Sequence, residues 1–164
     1  MTIRVSFKFD IRYCTSRLTC NERAPEGAAE CVEGSERLNF DTTAVVFEQP
    51  GHLALSQVCL AQPDEGDCVV DIEWSGISTG TERLLWLGEM PDFPGMGYPL
   101  VPGYESIGRV VSGGDAAGLR AGDRVFVPGS RGFTEVRGLF GGAAARVVAP
   151  SARLLRVDEG LAEQ

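Results

Sequence analysis

The stretch Ser75-Gly-Ile-Ser-Thr-Gly-Thr-Glu82 gathers four hydroxyls, two glycines and a carboxylate into eight residues. A segment of this kind serves as a plain turn, as a helix cap, or as the floor of an active site. The other residues able to carry chemistry are sparser. Five cysteines stand at Cys14, Cys20, Cys31, Cys59 and Cys68, an odd number with no C-x-x-C pair, and the single histidine, His52, sits in the turn-like run "QPGH". Free thiols and a turn histidine account for these residues better than a metal site or a disulfide framework.

The elements that would position this stretch read as mainly β. Twenty-one glycines and nine prolines in 164 residues favour short strands and tight turns over long helices. "TTAVVFE" and "LALSQV" flank Gln49-Pro50-Gly51-His52 as a hairpin. "DCVVDIEWSGI" alternates, with Cys68, Val70, Ile72 and Trp74 on one face and Asp71 and Glu73 on the other. "TERLLWLG" reads as one short helix with Thr81 as its N-cap and Gly88 as its stop. After it come the Gly/Pro-rich loop "MPDFPGMGYPLVPG", the strands "ESIGRVVSGG" and "RVFVP", a second glycine-rich loop over 129–142, and "AAARVVAP" with "RLLRV". Such a series predicts a β-barrel or heavily rolled sheet.

Residues 1–40 differ from the rest. They hold three of the cysteines and the only lysine, and their six basic and six acidic residues cancel. They read as an irregular or disordered extension, apart from "IRVSFKFDIRY", whose alternation is either an added strand or an accident. The net charge of −8 therefore falls entirely on 41–164, the expected folded domain. It argues against nucleic-acid binding, which needs clustered cations. No run is long and apolar enough to cross a bilayer and no signal-peptide core is present, so the expected compartment is the cytoplasm.

Four ordered segments resemble the N-terminal, GroES-like domain of medium-chain alcohol dehydrogenases. "VVDIEWSGISTGTE" is similar to the strand and elbow of that family, and "YPLVPGYESIGRVVSGG" to its Pro-x-Ile/Val-x-Gly-His-Glu segment. "LRAGDRVFVPG" and "GGAAARVVAPSARLLRVDEGL" match the strands that close the domain. Within the superfamily, "SGISTGTERLLWLGEMPDFPGMGYPLVPGYESIGRVV" is similar to the 3-hydroxyethyl bacteriochlorophyllide a dehydrogenase family. The resemblance covers 42–161, and residues 1–40 have no counterpart in it.

The resemblance implies an NAD-dependent alcohol oxidation that turns the 1-hydroxyethyl substituent of a chlorin into an acetyl group. Zinc members of the superfamily hold the metal through the elbow cysteine and the histidine of Gly-His-Glu. Here Thr79, or Ser78 if the elbow is shifted by one residue, takes the cysteine position and Tyr104 the histidine position. Neutral hydroxyls are poor zinc ligands, so no zinc is expected. The resemblance makes Thr79, Thr81 and Tyr104 candidate donors to a developing alkoxide, with Glu105 as orienting or proton-relay group. Against this stands the plainer reading: Thr81 caps the helix, Ser78 and Thr79 satisfy the turn, and Tyr104 packs as an aromatic.

A chlorin is a broad apolar disc carrying a propionate. Ser78, Trp86, Phe93 and Phe140 are candidate pocket residues, with Met96 and Phe133 beside them, and Arg83, Arg131 or Arg137 is the candidate partner of the carboxylate. NAD is expected to bind a second, Rossmann domain, since no G-x-G-x-x-G turn occurs in this sequence. The chain alone is therefore expected to be inactive, and a homo-oligomer is the expectation for the complete enzyme. Two rivals share the fold: a zinc-independent medium-chain reductase acting on another ketone or a quinone, and a non-catalytic GroES-like interaction module.

Overall fold

The computed structural model describes residues 3–6, 41–130 and 132–158. All of them belong to one compact unit, Met1–Phe7 with Phe40–Gln164. Most of the expected irregular extension lies outside the described residues. Within them, Ile3–Ser6 forms strand β1.

Strands β2 (Asp41–Gln49) and β3 (His52–Cys59) make the expected hairpin. It reverses at Pro50-Gly51, where Gly51 takes φ 74°, a left-handed conformation open to glycine at little cost. The long strand β4 (Asp67–Ile77) organises the larger sheet. It pairs antiparallel with β6 (Ser106–Gly113) along one edge. Its other edge is shared end to end by β9 (Arg146–Pro150), which pairs with Asp67–Asp71, and β1, which pairs with Trp74–Ile77. Strands β7 (Arg124–Val127) and β10 (Leu155–Arg156) continue the sheet beyond β6. The second sheet runs β3-β2-β5-β8, with β5 at Leu100–Val101 and β8 at Arg137–Gly138.

The strict alternation expected for β4 does not hold along its whole length. Cys68, Val69 and Val70 are all buried, whereas Trp74 is 37% exposed. The register with β6 shifts between Val69 and Val70 and again between Ile72 and Trp74. Each irregularity adds a residue to one strand and turns the side chains that follow. Trp74 thereby leaves the face shared by Cys68 and Val70.

Two apolar clusters hold the unit together. The larger joins Ala44, Val46 and Val58 of the second sheet to Val70, Val125 and Val147 of the first. The smaller, Phe47, Leu85, Leu100 and Leu139, lies under the single α-helix among the described residues, α1 (Thr81–Leu87). Gly88 ends the helix as expected, with φ 71° and its N–H on the Leu84 and Leu85 carbonyls. The start differs from the expectation. Gly80 is the N-cap, without a side-chain cap of its own, and Thr81 the first helical residue, its N–H donating over 3.4 Å to Ser78 Oγ. The Thr81 hydroxyl is thus left for other partners.

Candidate active site

Three segments converge at the end of β4. The first is the elbow 75–82. Gly76 donates its N–H to the Glu105 carbonyl at 2.6 Å, and a Cβ at Gly76 would stand 3.1 Å from both Cβ and Oε2 of Glu105. A side chain there would crowd Glu105 more tightly than most Cβ contacts, so glycine suits the approach. The second segment, 102–106, is clasped by the third, 139–143. Gly142 N–H donates to Gly103 O at 2.8 Å, Ala143 N–H donates to Pro102 O at 2.9 Å, and Ser106 Oγ donates to Gly142 O at 3.0 Å. Ser106 is fully buried and its Oγ also lies 3.3 Å from Ser75 Oγ, within hydrogen-bond reach, which ties all three segments together.

This clasp places Tyr104 against the elbow. Its hydroxyl lies 3.4 Å from Thr81 Oγ1, and Ser78 Oγ donates to Thr81 Oγ1 over another 3.4 Å. Three hydroxyls therefore form a chain of long, readily exchanged contacts. The Tyr104 ring meets Phe140 edge to face, with centroids 5.3 Å apart and planes at 67°. Phe140 holds a left-handed backbone, φ 67°, costly for an aromatic residue at about 1–3 kcal/mol. Its carbonyl accepts the Ser130 N–H at 2.5 Å and Ser130 Oγ donates to Gly141 O at 3.0 Å, so the loop fixes the strained residue from both sides.

Beside the hydroxyl chain opens a cleft of about 520 Å³, lined by Thr81, Leu84, Met90, Phe93, Tyr104, Pro128, Leu139 and Phe140. Its walls are apolar apart from the hydroxyls of Thr81 and Tyr104, the composition of a small-molecule site with few orienting groups. Just behind it, Glu82 buries Oε2 without a hydrogen-bond partner among the described residues. Burial raises the carboxyl above its ordinary range and the nearby Glu105 charge adds to this, while the N–H groups of Glu82 and Ser78 pull the other way.

The expected site residues divide clearly. Thr81, Tyr104, Phe93 and Phe140 come together on the cleft, with Ser78 behind Thr81. Thr79 is exposed and outside the lining. Glu105 is exposed, with its side chain over Gly76 rather than in the cleft. Trp86 is 42% exposed and stacks toward Phe47, 6.3 Å between centroids, also outside the lining. Phe133 belongs to the larger core and Met96 packs on the smaller one. Arg83 is exposed on α1, Arg131 lies outside the described residues, and Arg137 is exposed at β8. Four lining residues were not expected: Leu84, Met90, Pro128 and Leu139. Leu84 was within reach of helical spacing, three residues after Thr81. Pro128 and Leu139 arrive only through tertiary folding.

Comparisons with known proteins agree with this architecture. The alcohol dehydrogenase GroES-like domain matches residues 64–159. The 2-desacetyl-2-hydroxyethyl bacteriochlorophyllide A dehydrogenase of Rhodobacter capsulatus is 52% identical over 123 residues, 74% of this chain and 39% of that protein. Its counterpart in Cereibacter sphaeroides is 54% identical over 125 residues, 73% of this chain and again 39% of the relative. The chain thus spans well under half the length of these curated relatives. Among solved structures, an alcohol dehydrogenase of Escherichia coli in complex with NADH superposes with a TM-score of 0.59 at 22% identity, covering 75% of this chain and 40% of the other. Matched over more than half its length, with mainly β sheets folded as in that enzyme, this chain belongs to the alcohol dehydrogenase GroES-like domain family.

Proposed function

We propose that this chain forms the substrate-binding part of an NAD-dependent dehydrogenase that oxidises the 3-(1-hydroxyethyl) group of a bacteriochlorophyllide to an acetyl group. The observation that carries the reading is the cleft, an apolar slot walled by Phe93 and Phe140 and furnished with the Thr81–Tyr104 hydroxyl pair. The names of the two relatives supply the substrate class. A flat, apolar macrocycle suits aromatic walls, and a secondary alcohol suits two neutral hydroxyl partners.

Oxidation removes a hydride from the carbinol carbon and a proton from its oxygen. NAD, when bound, accepts the hydride. The sequence contains no G-x-G-x-x-G run of the kind that binds a dinucleotide. In this reading the cofactor is held by the part of the longer relatives that the chain does not span. The residues here act on the oxygen. Tyr104 Oη donates to it as negative charge builds, while Thr81 Oγ1 accepts the alcohol proton and hands its own to Ser78, which releases one to solvent water from its half-buried position; the Ser78–Thr81 hydrogen bond reverses in that step. Low surrounding polarity strengthens both hydrogen bonds.

Catalytic zinc takes no part in this reading. A zinc site needs three ligands drawn from Cys, His and carboxylates, and no three such side chains stand together among the described residues. The cleft itself presents only neutral hydroxyls.

Absorbance titration of this chain with 3-(1-hydroxyethyl)bacteriochlorophyllide a tests the proposal. A saturable shift of the pigment bands is expected. An unchanged spectrum would overturn it and favour an interaction module with no pigment site.

A further inference from the structure

The cleft accounts for a disc and an alcohol, yet a bacteriochlorophyllide also ends in a propionate. An anionic ligand approaching a chain of net charge −8 needs a local cation that is not already engaged. Most arginines on the larger sheet are engaged. Arg146 grips Asp71 through two hydrogen bonds, Arg109 and Arg124 share Glu73, and Arg156 pairs with Asp123. Arg137 differs: its guanidinium makes no hydrogen bond or ion pair with the described residues, and the side chain is exposed.

Its position is fixed by backbone. The Arg137 N–H donates to Pro99 O at 2.9 Å and the residue pairs with Leu100 in the parallel β5–β8 contact. Two residues later the same segment supplies Leu139, then Phe140, to the cleft wall. The side chain rests on the opposite wall's loop. A Cβ at Gly97 would stand 2.8 Å from Arg137 Nε and 3.1 Å from Cζ, so the guanidinium lies directly on bare backbone there. That loop is closed by Met96 N–H donating to Phe93 O at 3.0 Å, and Phe93 is the aromatic face of the cleft on this side. The cation is thus seated between the two segments that carry the two aromatic walls. Arg83, the other described candidate, is less suitably placed. At about 100° per residue along α1, it projects well away from the Thr81–Leu84 side that faces the cleft.

We propose that Arg137 is the anchor for the ligand's propionate, pairing with the carboxylate at the cleft rim and selecting free-acid pigments over their esters. The proposal rests on the pigment-binding reading above. Guanidinium and carboxylate match in planar, two-bond geometry, which lysine cannot reproduce.

The test is a set of absorbance titrations of the whole 164-residue chain with 3-(1-hydroxyethyl)bacteriochlorophyllide a and with its propionate methyl ester. Wild-type chain, Arg137→Gln and Arg137→Lys are compared, each checked for an unaltered circular dichroism spectrum. Wild type is expected to bind the acid about tenfold more tightly than the ester, the worth of one charge-assisted pair. Arg137→Gln should bring the acid down to the affinity of the ester, and Arg137→Lys should restore part of the difference. Equal affinity of wild type for acid and ester, or a preference that survives in Arg137→Gln, would overturn the anchor and leave the pigment reading intact. Failure of wild type to bind either form would overturn both.

Discussion

Tyr104 and Thr81 have few alternative duties, which is what makes them informative. Thr81 does not cap the helix it begins, and its hydroxyl turns to Ser78 and Tyr104. Tyr104 does pack as an aromatic, on Phe140, but its phenol reaches the cleft. The two roles of Tyr104 separate cleanly by substitution. In a chimera with this chain replacing the matching part of the Rhodobacter capsulatus relative, Tyr104→Phe keeps the ring contact and loses only the hydroxyl. We expect kcat to fall about 100-fold with KM nearly unchanged, the pattern of an interaction made in the transition state. Thr81→Val should behave alike. Steady-state assay of pigment oxidation reads both, and full turnover in the two variants would take these hydroxyls out of the chemistry.

The elements decide how precisely those hydroxyls are held, and here α1 matters most. A seven-residue helix is too short to persist without tertiary support. Its anchor is Leu85, 1% exposed and packed with Phe47, Leu100 and Leu139. Leu85→Ala is expected to cost about 2–5 kcal/mol in a denaturant melt. Amide exchange should also quicken along 81–88 more than in β4, because the smaller cluster holds little besides this helix. Uniform acceleration across the chain would contradict that view. Much of this element was readable in the sequence: the hairpin at Pro50-Gly51, the helix and its Gly88 stop all follow from neighbouring residues. The start of α1 was misplaced by one residue because threonine is a better cap than glycine in isolation, and here the fold gives the threonine hydroxyl other partners. The register shifts between β4 and β6, one adding Val111 to β6 and one adding Glu73 to β4, were not legible, since they depend on the pairing of the two strands. Nor was the far wall of the cleft. Pro128, Leu139 and the strained Phe140 reach Tyr104 only because segment 139–143 is clasped to 102–106. The spacing of those residues along the chain contains no trace of that contact.

At the scale of the whole molecule, the proposed pigment ligand raises the question of how an anion reaches an anionic protein. The net charge of −8 sets up a long-range repulsion, whereas the proposed Arg137 anchor acts only at short range. Ionic strength separates the two, because the screening length falls from about 30 Å at 0.01 M to about 8 Å at 0.15 M. Repulsion summed over the whole chain is screened first, and attraction at a few ångströms is screened least. The association rate of bacteriochlorophyllide with this chain, followed by stopped-flow absorbance, should therefore rise with added salt, the reverse of a steered encounter. In Arg137→Gln the rise should be steeper, since no local attraction remains to offset the field. A rate that falls with salt in the wild-type chain would mean that a local positive field, not net charge, governs approach. The engaged arginines of the larger sheet would then have to contribute to capture, in spite of their pairing with Asp71, Glu73 and Asp123.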